Sequence, residues 1–133
     1  MALILNLDDD PYLVVLNRLV LEEAGHIVLG VTNSHEALRL LRSEPINLFI
    51  QDMKRPDIDG ETFYRILKED SKLRRIPVLI LSGGGYGSES LGLELIYYGD
   101  RYLLKPYTTA GLLEKVTELL ARFRFPGGEE PSL

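Results

Sequence analysis

The chain has 133 residues, no cysteine and a formal net charge of −5. This length suits one compact domain with a continuous core, and the lack of cysteine excludes disulfides and thiolate metal sites. The negative charge, with dispersed Lys and Arg, argues against a nucleic-acid-binding surface. No secretory or membrane-spanning stretch is evident, so we expect a cytoplasmic protein with no membrane partner.

Short apolar runs alternate with longer amphipathic segments along the chain. Such alternation is typical of strands joined by crossover helices in a parallel sheet, where strands covered on both faces are apolar throughout. We therefore predict a doubly wound α/β domain. The five predicted strands are Ala2–Leu7, Ile27–Val31, Leu48–Gln51, Val78–Leu81 and Tyr102–Leu104.

Three predicted helices have clear boundaries in the sequence. The first begins at Asp10-Pro11, a capping residue followed by proline, and ends at Gly25. The second begins near Asn33, with Glu36 three residues later as in a capping box, and ends before Pro45. The last extends from Thr109 to Phe123. Their predicted apolar stripes are Leu13, Leu16, Val20 and Ala24 in the first helix, and Leu112, Val116, Leu119 and Phe123 in the last.

Two segments are weakly specified by their sequence. Residues Gly83–Tyr98 include five glycines, which lower helical propensity, and only Leu91–Tyr98 offers a helical apolar face. We expect a movable element there. Residues 125–133 are predicted to form a flexible tail after a domain that spans residues 1–124.

Polar side chains follow four of the five predicted strands. Ligands of an open parallel sheet bind beyond the carboxyl ends of its strands, so these residues should meet on one rim. Taken singly, each has an ordinary explanation as a helix cap, a turn residue or a solvated loop charge. Those explanations do not account for their shared position. The residues are Asp8, Asp9 and Asp10 after the first strand, Asp52 after the third, Ser82 after the fourth and Lys105 after the fifth.

Convergence of these carboxylates would require a positive charge. If Asp8, Asp9 and Asp52 met at about 5 Å, each ionised pair would repel by roughly 3 kcal/mol at an effective dielectric constant of about 20. Oxygen ligands suit a hard divalent ion, and Mg²⁺ fits better than zinc. Lys105 would supply a second positive charge.

At these residues the chain resembles the response-regulator receiver domain. The resemblance covers residues 2–123 and rests on L-D-D-D-P at 7–11, D-M-K-R-P-D-I-D-G at 52–60, P-V-L-I-L-S-G at 77–83 and Y-L-L-K-P-Y at 102–107. It implies the flavodoxin-like strand order 2-1-3-4-5 with five helices. It also implies a phosphoacceptor signalling domain, not an enzyme, that acts as a monomer or weak dimer.

The resemblance implies a role for each rim residue. Asp52 would accept a phosphoryl group from a sensor histidine kinase, a phosphotransfer protein or a small phosphodonor. Asp9 and Asp52 would hold Mg²⁺ directly, Asp8 would hold it through water, and the Lys54 backbone carbonyl would complete the protein ligands. Lys105 and the ion would neutralise charge on the transferring group.

The resemblance further implies a switch and an output surface. Ser82 would turn its hydroxyl onto the new phosphoryl oxygen, and Tyr102 would rotate inward as the loop closes. An unidentified downstream protein would bind the face formed by the fourth helix, fifth strand and fifth helix. Four apolar residues could contact a partner there, although we expect an ordinary core role for the aliphatic ones: Leu91, Ile96, Tyr97 and Tyr102.

Some residues depart from the family pattern. Lys54 occupies a position that tunes hydrolysis, Arg55 stands where an apolar residue is usual, Gly83 replaces a residue such as Ala, and Tyr107 replaces Phe. The loop from Ser82 to Tyr102 is also about one residue longer than usual, a departure that affects the switching geometry rather than the phosphorylation.

Two alternatives stay open. The first is a pseudo-receiver, an interaction module that keeps the fold without being phosphorylated. The second is a haloacid-dehalogenase-type phosphatase with Asp8 as nucleophile, although Tyr12 stands where that pattern requires Thr or Val.

Three further features are set aside. The glycine run 83–87 lacks the lysine of a P-loop. His26 and His35 have no clustered partners and are predicted to be surface residues. Asp57 and Asp59 are predicted to shape a turn and cap the third helix rather than to bind metal.

Overall fold

The computed structural model describes residues 1–54, 56–83 and 89–122. For Glu89 it describes the backbone but not the side chain. Within these residues five parallel strands form one sheet in the order β2-β1-β3-β4-β5, which confirms the predicted fold class. The strands are β1 (Leu3–Leu7), β2 (Ile27–Val31), β3 (Leu48–Asp52), β4 (Val78–Ser82) and β5 (Arg101–Leu104). Each boundary lies within one residue of its prediction.

Five α-helices and one 3₁₀ turn, Leu73–Arg75, connect or follow the strands in the described part of the chain. The helices are α1 (Pro11–Glu23), α2 (Ser34–Ser43), α3 (Gly60–Glu69), α4 (Glu89–Tyr98) and α5 (Thr109–Arg122). Helix α4 begins two residues before the predicted Leu91. Residues 84–88 of the glycine-rich segment and the predicted tail lie outside the described residues, so their expected mobility stays a prediction. Phe123, predicted for the apolar stripe of the last helix, also lies outside them.

Helix starts follow the capping residues of the sequence. The Asp10 carboxylate accepts a hydrogen bond from the backbone N–H of Tyr12 at 2.9 Å, and Asn33 accepts one from the N–H of Glu36 at 2.8 Å. Asp59 caps α3 through two backbone N–H groups. Because caps satisfy the free N–H groups of a first turn, they set where each helix begins. All three predicted starts are confirmed.

Two apolar layers enclose the sheet. One layer packs α2, α3 and α4 against one face and includes Leu41, Phe63, Leu67 and Leu95. The other packs α1 and α5 against the opposite face and includes Leu21, Leu112, Val116 and Leu119. All five residues of β3 and of β4 are buried, as expected for strands covered on both faces.

The predicted apolar stripe of α1 is only partly correct, because Val20 packs against the core but Leu16 and Ala24 are exposed. Its buried residues are Val14, Asn17 and Leu21, while the predicted Leu16 is 43% exposed. The buried face of α1 includes Asn17 because the Asn17 amide forms hydrogen bonds with buried polar partners. A hydrogen-bonded amide is tolerated in a core. Apolar residues are left on the outside of α1. They are Tyr12, Val15, Leu16 and Leu19, and we call them the α1 outer face.

No helix among the described residues is long and apolar enough to cross a membrane. The cytoplasmic location stays a prediction.

His35 is exposed as predicted, whereas His26 is only partly exposed, and its Nδ1 accepts a hydrogen bond from the N–H of Ala2 at 3.2 Å.

Candidate functional site

Three carboxylates converge at the carboxyl edge of the sheet. Asp8 and Asp9 follow β1, and Asp52 is the last residue of β3. These strands are neighbours, with Leu7 opposite Gln51 in the ladder. One oxygen of each carboxylate lies within 4.8 Å of the others. Asp8 and Asp52 are buried and Asp9 is exposed.

Lys105 brings an ammonium group into this acidic cluster. It follows β5, and its backbone N–H donates to the carbonyl oxygen of Ser82, which extends the β4–β5 ladder. Its Nζ donates to Asp52 Oδ1 at 2.8 Å and lies 3.8 Å from Asp8 Oδ2. Burial alone would lower the pKa of Lys105, but its hydrogen bond to Asp52 and the charges of Asp52 and Asp8 outweigh burial and raise the pKa. The amine therefore stays protonated.

The buried Asp8 carboxylate is hard to ionise in the metal-free protein. Burial is the main reason that its pKa rises to about 6, and the charges of Asp52 and Asp9 raise it further, while the backbone N–H of Asp10 and the charge of Lys105 act in the opposite direction. Asp8 Oδ1 accepts a hydrogen bond from the Asp10 N–H at 2.9 Å. Asp8 Oδ2 accepts no hydrogen bond from the described residues.

This donor set fits a divalent cation. All three groups are carboxylates, the hard oxygen ligands that Mg²⁺ prefers. Among the residues that the structure describes, the Lys105 ammonium faces three acidic groups, and the buried Asp8 Oδ2 accepts no hydrogen bond. A second positive charge would relieve both the repulsion and the cost of that unpaired oxygen.

The remaining predicted residues lie around the cluster. Ser82 is buried at the end of β4, one residue beyond Leu81, which stands opposite Asp52 in the ladder. Lys54 is exposed and follows β3 by two residues, and Arg55 lies outside the described residues. Tyr102, on β5, is 56% exposed, so its ring is not packed in the core.

A polar network that was not predicted from the sequence lies beside the cluster. The Tyr107 hydroxyl donates to Asn17 Oδ1 at 2.9 Å, and Asn17 Nδ2 donates to Asn6 Oδ1 at 3.3 Å. Asn6 and Asn17 are buried. Two asparagines in otherwise apolar segments were the available signal. The network gives the Tyr107 hydroxyl a specific partner.

Hydrogen bonds fix the loop after β3 at two places, one between Met53 and Gly60 and one at Asp57. Gly60 N–H donates to the Met53 carbonyl oxygen at 2.9 Å. The Asp57 carboxylate accepts hydrogen bonds from the backbone N–H of Ser34 at 2.6 Å and from its hydroxyl at 3.0 Å. The expected helix-capping role therefore belongs to Asp59, whereas Asp57 links this loop to the start of α2.

We predict that Gly60→Ala destabilises the protein by about 1–3 kcal/mol, the usual cost of overpacking. A Cβ at Gly60 would lie 2.8 Å from Met53 Cα and 2.9 Å from the Met53 carbonyl oxygen, backbone atoms that cannot rotate away. Urea unfolding measures the change. Gly92→Ala is the matched control because a Cβ there meets nothing within 4 Å. Equal stabilities for the two variants would contradict the prediction.

A comparison with family models decides the family of this chain. Residues 4–117 match the model of the response regulator receiver domain. The chain belongs to that family. Membership agrees with the resemblance in the sequence and with the observed strand order, and it gives no support to the phosphatase alternative.

Known proteins similar to this receiver domain differ in length. Response regulator GtcR of Aneurinibacillus migulanus is 29% identical over 132 residues, which are 98% of this chain and 52% of GtcR. The chain thus spans about half the length of such curated relatives. Protein PilH of Pseudomonas aeruginosa is 29% identical over 126 residues, which are 91% of this chain and 99% of PilH.

A solved structure supports the same family. The response regulator receiver domain protein of Clostridium thermocellum superposes on this receiver domain with a TM-score of 0.78 at 29% identity, covering 92% of this chain and 96% of that one. Receiver domains are signalling domains of two-component systems.

Proposed function

We propose that this receiver domain accepts a phosphoryl group on Asp52, with Mg²⁺ bound at the acidic cluster, from a histidine kinase, a phosphotransfer protein or a small phosphodonor. One observation carries the proposal. The Lys105 ammonium lies 2.8 Å from Asp52 Oδ1, inside a cluster of three carboxylates whose oxygens lie within 4.8 Å of one another.

The residues suit an in-line phosphoryl transfer. A carboxylate oxygen of Asp52 forms a bond to phosphorus as the bond from phosphorus to the donor's imidazole nitrogen or leaving oxygen breaks, and the donor group departs with that electron pair. A carboxylate nucleophile has no proton to give up, so the transfer needs no general base. Lys105, whose Nζ lies 2.8 Å from Asp52 Oδ1, is proposed to stabilise the charge that collects on the phosphoryl oxygens, an electrostatic role that such transfers require.

Asp8, Asp9 and Asp52, with the Lys54 carbonyl, are the proposed holders of Mg²⁺. When bound, the ion neutralises charge on the transferring group and on the carboxylates. Ser82, buried at the end of β4, is proposed to donate its hydroxyl to a phosphoryl oxygen after transfer. Tyr102 would then leave its exposed position and turn inward.

Two exposed apolar surfaces suit protein partners. The α1 outer face begins at Tyr12, near Asp9 and Asp10 in the chain, and we propose that it contacts the protein phosphodonor. A second surface combines residues of α4 and β5, in which the predicted Ile96, Tyr97 and Tyr102 are exposed but Leu91 is buried in the core. We propose this second surface for the downstream partner, because clustered exposed apolar side chains mark interaction sites.

We predict that Asp52→Asn abolishes phosphorylation. Wild-type protein incubated with acetyl phosphate and Mg²⁺ should carry one hydroxylamine-labile phosphoryl group by intact mass spectrometry, because a carboxylate nucleophile forms an acyl phosphate. Asp52→Asn removes the nucleophile and should show no adduct. Asp70→Asn is the matched control, since Asp70 lies at the end of α3, and it should be phosphorylated like wild type.

Other outcomes of this experiment separate the alternatives. An adduct that persists in Asp52→Asn but disappears in Asp8→Asn would favour a phosphatase-like nucleophile. No adduct in any variant would favour the pseudo-receiver, an interaction module that keeps the fold without the chemistry.

A further inference from the structure

Two buried side-chain atoms near the acidic cluster lack hydrogen-bond partners among the described residues. They are Asn6 Nδ2, a donor, and Asp8 Oδ2, an acceptor. Asn6 is fully buried and Asp8 is 1% exposed. Unpaired buried polar atoms are uncommon in folded proteins, and ordered water often satisfies them.

Asn6 and Asp8 lie on the same face of one strand. Asn6 belongs to β1, and Asp8 extends that strand because its N–H donates to the Val31 carbonyl oxygen at 3.2 Å. Side chains two residues apart point to the same side of a strand and are separated by about 6.6 Å along it. One water with two hydrogen bonds of about 2.8 Å each spans such a gap between side-chain atoms.

The donor end of this gap is oriented by the polar network. The Tyr107 hydroxyl donates to Asn17 Oδ1 at 2.9 Å, so Asn17 presents its Nδ2 to Asn6 Oδ1 at 3.3 Å. The carbonyl half of the Asn6 amide is therefore engaged, and its NH₂ group is the half that remains. An amide that presents an N–H in a buried polar setting requires an acceptor.

The acceptor end is fixed on one side only. Asp8 Oδ1 accepts the Asp10 N–H at 2.9 Å, while Asp8 Oδ2 lies 3.8 Å from Lys105 Nζ, too far for a direct hydrogen bond. A carboxylate oxygen has two lone pairs, so Asp8 Oδ2 can accept a hydrogen bond from one water and still face a hydrated metal.

We propose that Asn6 holds one ordered water against Asp8 Oδ2, and that Asn6 is thereby a positioning residue for Mg²⁺ binding. The water accepts a hydrogen bond from Asn6 Nδ2, donates one to Asp8 Oδ2, and can accept a second from Lys105 Nζ. With Asp10 N–H on one oxygen and this water on the other, the Asp8 carboxylate has a defined orientation. The inference rests on the proposed function, because it concerns the same metal site.

The test compares Asn6→Thr with Asn6→Val, two side chains of the same shape of which only threonine keeps a donor. Mg²⁺ alone is titrated into each variant by calorimetry, after urea unfolding has shown that both are folded. Asn6→Val should bind Mg²⁺ about 10-fold more weakly than wild type, the lower end of effects seen for groups that orient metal ligands. Asn6→Thr should bind closer to wild type. A high-resolution crystal structure of the wild type should show the water within about 3.2 Å of both atoms.

Each other result overturns a specific claim. Equal Mg²⁺ affinities for wild type and both variants would overturn the positioning role and leave the phosphorylation proposal intact. A direct contact between Asn6 Nδ2 and Asp8 Oδ2 in the crystal, with no water between them, would overturn the water site. A wild-type protein that does not bind Mg²⁺ would overturn the metal part of the proposed function together with this inference.

Discussion

Asp100→Ala is expected to lower the free energy of unfolding by about 3–5 kcal/mol, the usual result of removing one partner from a buried ion pair. The side chains of Lys68 and Asp100 are 2% and 0% exposed, and Lys68 Nζ lies 2.9 Å from Asp100 Oδ2. Total stability of a small domain is only about 5–15 kcal/mol. This one substitution therefore removes a large fraction of it.

The size of the effect follows from how completely this pair is hydrogen-bonded. Lys68 Nζ also donates to the carbonyl oxygens of Arg74 and Ile76, each at 3.1 Å. Asp100 accepts hydrogen bonds from the Tyr64 hydroxyl at 2.7 Å and from the Val78 N–H at 2.8 Å. Without Asp100, three buried groups would each lose an acceptor: the Lys68 ammonium, the Tyr64 hydroxyl and the Val78 N–H. Each lost hydrogen bond costs free energy.

Burial and mutual attraction oppose each other in this pair. Burial raises the pKa of Asp100 and lowers the pKa of Lys68, and the attraction between them acts in the opposite direction. Burial, with the charge and hydrogen bond of Asp100, also raises the pKa of the Tyr64 hydroxyl. Tyr64 therefore remains a donor at any pH at which the protein is studied.

Urea unfolding of Asp100→Ala, a control, a double variant and the two single substitutions of that double variant measures the prediction. Glu114→Ala is the control, since Glu114 is exposed on α5 and its loss should change stability by less than about 0.5 kcal/mol. Lys68→Met combined with Asp100→Asn removes both charges and should cost less than the sum of the two single substitutions. An Asp100→Ala variant as stable as the Glu114→Ala control would show that the pair contributes nothing.

Asp8→Asn is expected to raise the free energy of unfolding of the metal-free protein at pH 7 by up to about 3 kcal/mol, at 1.36 kcal/mol for each pKa unit. Burial is the main cause that raises the pKa of Asp8 from 3.8 to about 6. Ionised Asp8 is therefore less stable in the folded chain than in the unfolded one. The amide keeps the oxygen that accepts the Asp10 N–H and carries no charge.

The sign of the pH dependence follows from the same shift. Between pH 3.8 and about 6 the folded protein binds more protons at Asp8 than the unfolded chain does, given the raised pKa. Stability from this group is fully present below pH 3.8 and is lost as the pH rises through about 6. Wild type in EDTA should lose this contribution over that range, and Asp8→Asn should not.

Added Mg²⁺ provides the second half of this test. An ion that binds only the folded state stabilises it in proportion to the logarithm of its concentration above Kd. Wild type at pH 7 should gain stability with Mg²⁺ if the proposed site binds it, whereas Asp8→Asn should gain less because one of the proposed metal-holding carboxylates is lost. If Asp8→Asn were less stable than wild type in EDTA at pH 7, the explanation from burial would be wrong.

Features that depend on neighbouring residues were predictable from the sequence. The strands were placed within one residue because each is a short apolar run, and helix starts were placed by Asp10, Asn33 and Asp59 because capping acts over two or three residues. The acidic cluster was predicted because the carboxyl ends of parallel strands share one edge. The positions of Asp8, Asp52 and Lys105 on that edge needed no knowledge of side-chain packing.

Helix α1 shows where this local reasoning failed. It carries apolar residues on several sides, so periodicity alone did not identify the buried face. Leu16 was predicted to be buried, but the structure buries Asn17 and exposes Leu16. Asn17 is buried because Asn6 and Tyr107, 11 and 90 residues away along the chain, supply its hydrogen-bond partners. No pattern within the helix contains that information.

The sequence by itself determined the order of strands and helices, the capped helix starts and the residues that follow each strand, since these depend on short-range periodicity and on the geometry of parallel sheets. Only the tertiary structure decided which side of α1 is buried, that Asp57 bonds to Ser34, and that Lys68 pairs with Asp100. Such contacts join residues far apart in the chain, and whether a polar group can be buried depends on partners that only the folded chain brings together.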